Sequence, residues 1–153
     1  MELEETLVLV KPDGVRRRLV GQVIGRLEQK GLRLAGMKFL RLSRAQAEAH
    51  YAPLSEKPFY PGLIEFITSG PVVAMVWQGP RAIAHVRNLT GATDPLNAAP
   101  GSLRGDLAVD VGMNVVHASD SPQSAAREVS NLFEPNELVA WNLPDEEDVF
   151  PEG

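Results

Sequence analysis

Thr6-Leu7-Val8-Leu9-Val10-Lys11-Pro12-Asp13-Gly14 decides how the rest of the chain reads. Five residues rich in Leu and Val, too few for a helix and stopped by Pro-Asp-Gly, predict a buried strand that delivers Lys11 to its mouth. Downstream, Val20, Val23, Ile24 and Leu27 recur at helical spacing, and Gln29-Lys30-Gly31 supplies a C-terminal cap, so a helix covers that strand. Residues 32–42 alternate imperfectly as a second strand. Ser43 then opens a polar helix running to His50-Tyr51. A Pro-rich connection and a short helix over 62–67 lead to the best strand signal, residues 72–77, bounded by Gly70-Pro71 and Gly79-Pro80. A helix over 81–89 follows. Residues 90–106, with Gly91, Pro95, Pro100, Gly101 and Gly105, read as one long loop, a feature that in compact domains is often functional. Residues 115–117 form a brief last strand, and Ser121-Pro122 are the N-cap and first residue of a helix through Val129 and Leu132-Phe133.

The resulting order, β-α-β-(α, α)-β-α-β-α, is that of an α+β, ferredoxin-like (split βαβ) fold, with a four-stranded antiparallel sheet, additional helices, and helices on one face. At 153 residues folding buries roughly two-thirds of the chain's surface, enough for one sizeable core and not two. Residues 1–141 are expected to form the domain. Residues 142–153, with Asp145-Glu146-Glu147-Asp148 and Glu152, read as a solvated acidic tail whose Phe150 is its candidate for docking.

Lys+Arg 15 against Asp+Glu 20 gives a net charge of -5. That balance argues against nucleic-acid binding by generalised phosphate neutralisation, yet allows a local cationic pocket. With no cysteine, disulfide scaffolds, thiolate zinc sites and cysteine nucleophiles are excluded. The acidic start Met1-Glu2-Leu3-Glu4-Glu5 is unlike a basic leader, and the apolar run 71–77 is too short to span a bilayer. A cytoplasmic protein without a stable nucleic-acid or membrane partner is the expectation.

Of 3 histidines, His85 reads as a surface residue and His50 as a charged C-terminal helix cap. His117 stands apart, ending a strand in Asn114-Val115-Val116-His117-Ala118-Ser119-Asp120, where polar groups converge ahead of a helix N-terminus. On that helix Ala125, Val129 and Leu132 set the core stripe. At about 100° per residue Glu128 falls at its edge, within reach of His117, while Arg127 points outward. The alternative for Glu128 is a solvated helix glutamate. Lys11, Arg87 and Arg104 each read singly as surface charge, but all sit at element ends or in the long loop, and together they make a pocket suited to a polyphosphate. Gly14-Val15-Arg16-Arg17-Arg18 lacks the ending of a P-loop, so side chains must hold the phosphates; the arginine triplet itself reads as a solvated turn.

Lys11-Pro12-Asp13-Gly14-Val15, His50-Tyr51, Lys57-Pro58-Phe59, Ser69-Gly70-Pro71-Val72, Gly91-Ala92-Thr93-Asp94-Pro95, Pro100-Gly101 with Arg104-Gly105-Asp106, and Asn114 to Asp120 together resemble nucleoside diphosphate kinase over residues 6–138. Asn-x-x-His-x-Ser-Asp at this distance after Arg-Gly-Asp is the specific part. Arg18 departs from the usual glycine or asparagine, and Ser102-Leu103 from the usual threonine-isoleucine. The resemblance implies ping-pong transfer of a γ-phosphoryl group through His117, oriented by Glu128 with Ser119 bridging. It also implies that Arg87, Thr93 and Arg104 bind phosphates, that Tyr51 and Lys11 approach the transferred group, and that Lys11 and Asn114 meet the ribose. Phe59 and Val111 resemble the pair that clamps the base, which predicts low base selectivity. Mg2+ is expected on the substrate phosphates, without a protein cage. The resemblance further implies a homo-oligomer, a hexamer built as a trimer of dimers, with a tetramer the alternative. An RNA-binding module would need surface aromatics and a basic face that this chain lacks. A catalytically silent interaction protein would be expected to have lost His117, Lys11 or Arg104, and all three are present.

Overall fold

The computed structural model describes residues 3–149. Four strands, β1 (Glu4–Val10), β2 (Arg33–Leu40), β3 (Val72–Gly79) and β4 (Val116–Ala118), form one antiparallel sheet in the order β2-β3-β1-β4. β1 is central. Its Leu9 pairs with Ala74 on one side and with His117 on the other, so the opening strand fixes the position of the last one.

Helices cover both faces, not one. Val8 and Val10 pack with Val23 and Leu27 of α2 (Val20–Lys30) and Val86 of α5 (Ala82–Thr90). Leu7 and Leu9 pack oppositely, against Ala47 of α3 (Arg44–His50), Ile64 and Ile67 of α4 (Tyr60–Ile67), and Val129 and Leu132 of α7 (Pro122–Leu132). The continuous apolar reading of β1 and β3 already carried this information: alternation disappears when a strand is buried on both faces.

Local chemistry sets the helix ends. Ser43 and Gln46 form a reciprocal capping box on α3, Ser121 Oγ accepts from Ser124 N at the start of α7, and Gly31 closes α2 with φ of 97°. A one-turn helix, α1 (Pro12–Arg16), follows β1 and joins α2 through Arg18, whose φ is 60°. That left-handed backbone is the reason glycine or asparagine suits this position better.

The long loop is partly ordered into helix. It contains a 3-10 turn at Pro95–Asn97 and α6 (Leu103–Leu107), started by Asp94 accepting from Leu96 N and by Ser102 Oγ accepting from Gly105 N. Arg26 on α2 fastens it through Gly101 O at 2.6 Å and Asp106 at 3.0 Å. The segment after 141 also departs from expectation. Arg33, 6% exposed, donates to Asn142 Oδ1 and forms a 2.7 Å ion pair with Glu146, and Trp141 Nε1 donates to Leu34 O. Residues Glu146–Val149 form a last short helix, α8, with Val149 against Gly31. Phe150 lies outside the described residues. Among those described, no helix is long and apolar enough to cross a membrane.

Candidate active site

His117 lies on β4 with its side chain 24% exposed, and its Nε2 is 2.7 Å from Glu128 Oε1 on α7. The carboxylate only accepts, so Nε2 carries the proton and Nδ1 keeps a free lone pair. Ser119 Oγ donates to the same Glu128 oxygen at 2.9 Å and accepts from Leu7 N at 3.2 Å. Thus Ser119 does not sit between histidine and glutamate. It shares the acceptor and ties it to β1.

Lys11 caps the mouth of β1, 6% exposed, with Nζ donating to Asn114 Oδ1 at 2.7 Å and Gly112 O at 2.8 Å. Burial lowers its pKa from 10.5 to about 8, opposed by Asp13 and Asp110 and reinforced by Arg104. Asn114 is fixed at its other end by donating to Thr93 O. Arg104, also buried, donates to Gly91 O, Asn114 O and Val116 O. Burial and the nearby Arg87 bring its pKa down to about 10. Arg87 donates to Ala118 O, so both arginines are strung along the backbone that carries His117. Thr93 is exposed, as are Phe59 at 54% and Val111 at 57%, which leaves the apolar surfaces of both open to solvent.

Tyr51 terminates α3 and is buried; burial first, then Glu128 and Asp13, raise its hydroxyl to about 12, so it remains a neutral donor. The residue before it revises an expectation. His50 is 3% exposed, with its ring in edge contact with both Tyr51 (4.7 Å) and His117 (4.4 Å). Burial, His117, Arg127 and Lys11 hold its pKa well below the usual histidine value, so it is not a charged cap. Arg127 does the capping, donating to Ala49 O and His50 O at the end of α3, and reaches Glu128 Oε2 at 3.5 Å. Its expected outward position is therefore incomplete: both terminal nitrogens of its guanidinium are engaged between α3 and α7. Periodicity sees one helix at a time, and both revisions depend on how two helices meet.

His50, His117 and Glu128 present ligand atoms within 4.8 Å of one another, the one such cluster among the described residues. Two imidazoles and one carboxylate suit a borderline transition metal better than a hard cation such as Mg2+. Glu128 is moreover spent on His117 and Ser119.

A nucleophilic imidazole held by a carboxylate, with the buried cations Lys11 and Arg104 and the half-buried Arg87 at the same end of the sheet, is equipped to accept a phosphoryl group. Comparison with known proteins agrees. Residues 4–138 match the family described as nucleoside diphosphate kinase. A nucleoside diphosphate kinase of Archaeoglobus fulgidus is 59% identical over 150 residues, covering 98% of this chain and 99% of that one. One from Thermosynechococcus vestitus is 60% identical over 139 residues, 91% and 93% of the two chains. The structure of a halophilic nucleoside diphosphate kinase from Halobacterium salinarum in complex with CDP superposes with a TM-score of 0.95 at 48% identity, covering 97% and 99%. Agreement of this extent along nearly entire chains, on top of the geometry, leaves one assignment: the chain belongs to the nucleoside diphosphate kinase family.

Proposed function

We propose that this chain transfers the γ-phosphoryl group of a nucleoside triphosphate to a nucleoside diphosphate through a phosphohistidine on His117. Family membership makes it a phosphotransferase, and the observation that carries the residue assignment is the 2.7 Å contact of His117 Nε2 with Glu128, which leaves Nδ1 free. In the first half-reaction the Nδ1 lone pair forms a bond to the γ-phosphorus while the bond to the bridging oxygen breaks, and the diphosphate departs. In the second, a terminal oxygen of the acceptor diphosphate attacks the same phosphorus and the P–N bond breaks. Positive charge that develops on the ring is offset by Glu128, itself oriented by Ser119 and Arg127. Lys11, Arg104 and Arg87 balance charge on the phosphoryl oxygens, and Tyr51 donates a neutral hydrogen bond. Thr93 adds a phosphate contact, Asn114 with Lys11 meets the ribose, and Phe59 and Val111 cover the base with surfaces that every base accepts.

Members of this family generally need a divalent cation. We assign it as Mg2+ that would be carried on the substrate phosphates, where it would neutralise charge, rather than at the nitrogen-rich cluster around His117. The CDP complex of the Halobacterium relative supports nucleotide as the ligand class here. A cytoplasmic location and a homo-oligomer, a hexamer in preference to a tetramer, complete the reading. Support for association comes from β2, an edge strand with Met37 51% and Phe39 66% exposed. Residues 1–141 are taken as the catalytic domain and 142–153 as an acidic extension, of which residues 142–149 pack on the domain.

The test is labelling with γ-labelled triphosphate. The parent should form an acid-labile phosphoenzyme, His117→Ala none, and Glu128→Gln a slower burst. Undiminished labelling of His117→Ala would refute the assignment. Unlabelled parent protein would favour a silent, nucleotide-binding relative.

A further inference from the structure

Val115, two residues before His117, has φ of 76°, a conformation that β-branched residues avoid. Both of its backbone polar atoms are gripped by the turn after β1. Its N–H donates to Asp13 Oδ2 at 2.9 Å, and its carbonyl accepts from Lys11 N at 2.9 Å. Gly14 closes the grip, since a Cβ there would lie 2.7 Å from Val115 O. The residues on either side of Val115 hold the proposed site's cations in place. Asn114 accepts from Lys11 Nζ, and Arg104 donates to the carbonyls of both Asn114 and Val116. A slip at Val115 would therefore move Lys11, Asn114 and Arg104 relative to His117 together.

Asp13 is costly where it stands. It is 4% exposed, and its Oδ1 has no hydrogen-bond partner among the described residues. We propose that Asp13 is a positioning residue for phosphoryl transfer: its carboxylate locks the left-handed Val115 turn, so registering Lys11, Asn114 and Arg104 around His117, and supplies the negative charge beside the buried Lys11. This rests on the assignment of His117 and Lys11 given above. The groups facing Lys11 among the described residues are Asp13 from α1, Arg104 from α6, Asp110, the Gly112 carbonyl and Asn114 from the segment before β4, His50 at the end of α3, and the Phe66 ring of α4, 5.5 Å from Nζ. Of the two acids, Asp13 does more to oppose the fall of the Lys11 pKa to about 8.

The two roles separate by substitution. Asp13→Asn keeps an oxygen for the Val115 N–H and removes the charge; Asp13→Ala removes both. Val115→Gly supplies a residue that adopts positive φ unaided, and keeps the comparison available if Asp13→Asn alone does not fold. Burial of Lys11 places the expected alkaline limb of kcat/KM near pH 8, and in Asp13→Asn, with or without Val115→Gly, that limb should lie about one pH unit lower. In Asp13→Ala, kcat should fall at least about tenfold through lost registry. Val115→Gly should recover melting temperature in that variant without restoring the limb. An unshifted limb and parental turnover in Asp13→Asn would overturn the proposal, as would full rescue of Asp13→Ala by Val115→Gly, which would make Asp13 structural only. Phosphoenzyme formation by His117→Ala, measured alongside, would instead sink the assignment beneath it.

Discussion

Burial acts in the same direction on Lys11, Arg104 and His50, with different consequences. His50 is held neutral, so it packs on His117 without adding a competing charge. Arg104, at about 10, stays charged at neutral pH, and Lys11, at about 8, stays mostly so. Keeping Lys11 charged in a buried site costs stability, and the sign follows from proton counts. Between pH 8 and 10.5 the unfolded chain holds a proton on Lys11 that the native state has lost, so this residue's contribution to unfolding free energy rises with pH across that window. Below pH 8 the penalty is fully present. The stability of Lys11→Met relative to the parent should therefore fall by about 2–4 kcal/mol from pH 7 to 10.5, measured by denaturant unfolding, while phosphoenzyme formation by the variant is lost at every pH. A pH-independent difference would mean that Lys11 is not strained by burial. Lys11 and Glu128 were legible in the sequence because one follows a strand's end and the other edges a helix's stripe, and His117 because polar residues cluster around it, although it is the middle residue of β4 and not its end. Asp13, His50 and Arg127 were not, since their meaning depends on which backbone or helix they meet.

The joints between elements are where sequence reading succeeded least evenly. Caps with a side-chain signature, Ser43 and Ser121 with Pro122, gave helix starts directly. The helical turn of α6 was hidden because five residues are too few to show a period, and only its Ser102 cap marks it. Helices on the second face were missed through the same cause that makes β1 so recognisable, its lack of alternation. Arg18 gives the joint between α1 and α2 a measurable strain: its φ is 60° and its side chain is exposed. Arg18→Gly should stabilise the protein by about 0.5–1 kcal/mol, the relief of left-handed strain less the added entropy of glycine when unfolded. Turnover should be unchanged. A higher urea midpoint at unchanged slope is the expected observation, and a lower one would show that the arginine side chain stabilises the joint by more than its backbone costs.

An acidic protein that gathers Lys11, Arg87 and Arg104 at one end of its sheet leaves two further surfaces to explain, and they make opposite predictions. The segment after Trp141 was expected to be a solvated tail, because nothing in its acidic composition names a docking site. In the structure Arg33 is that site, held by Asn142, Glu146 and Gln78. Deleting residues 142–153 removes Asn142 and Glu146 from the Arg33 guanidinium and leaves Gln78 as its side-chain partner among the described residues, which should cost about 1–3 kcal/mol. Arg33→Met in the truncated chain should return much of that loss, because no charge then needs a partner. Neither change touches Phe39 or Met37 on the β2 edge, so the association state seen by light scattering should survive truncation. Phe39→Asp should do the reverse, shifting the protein toward monomer with little loss of intrachain stability, since a side chain 66% exposed loses few internal contacts. Truncation that dissociates the protein, with Phe39→Asp leaving it assembled, would move the subunit contact from the sheet edge to the tail.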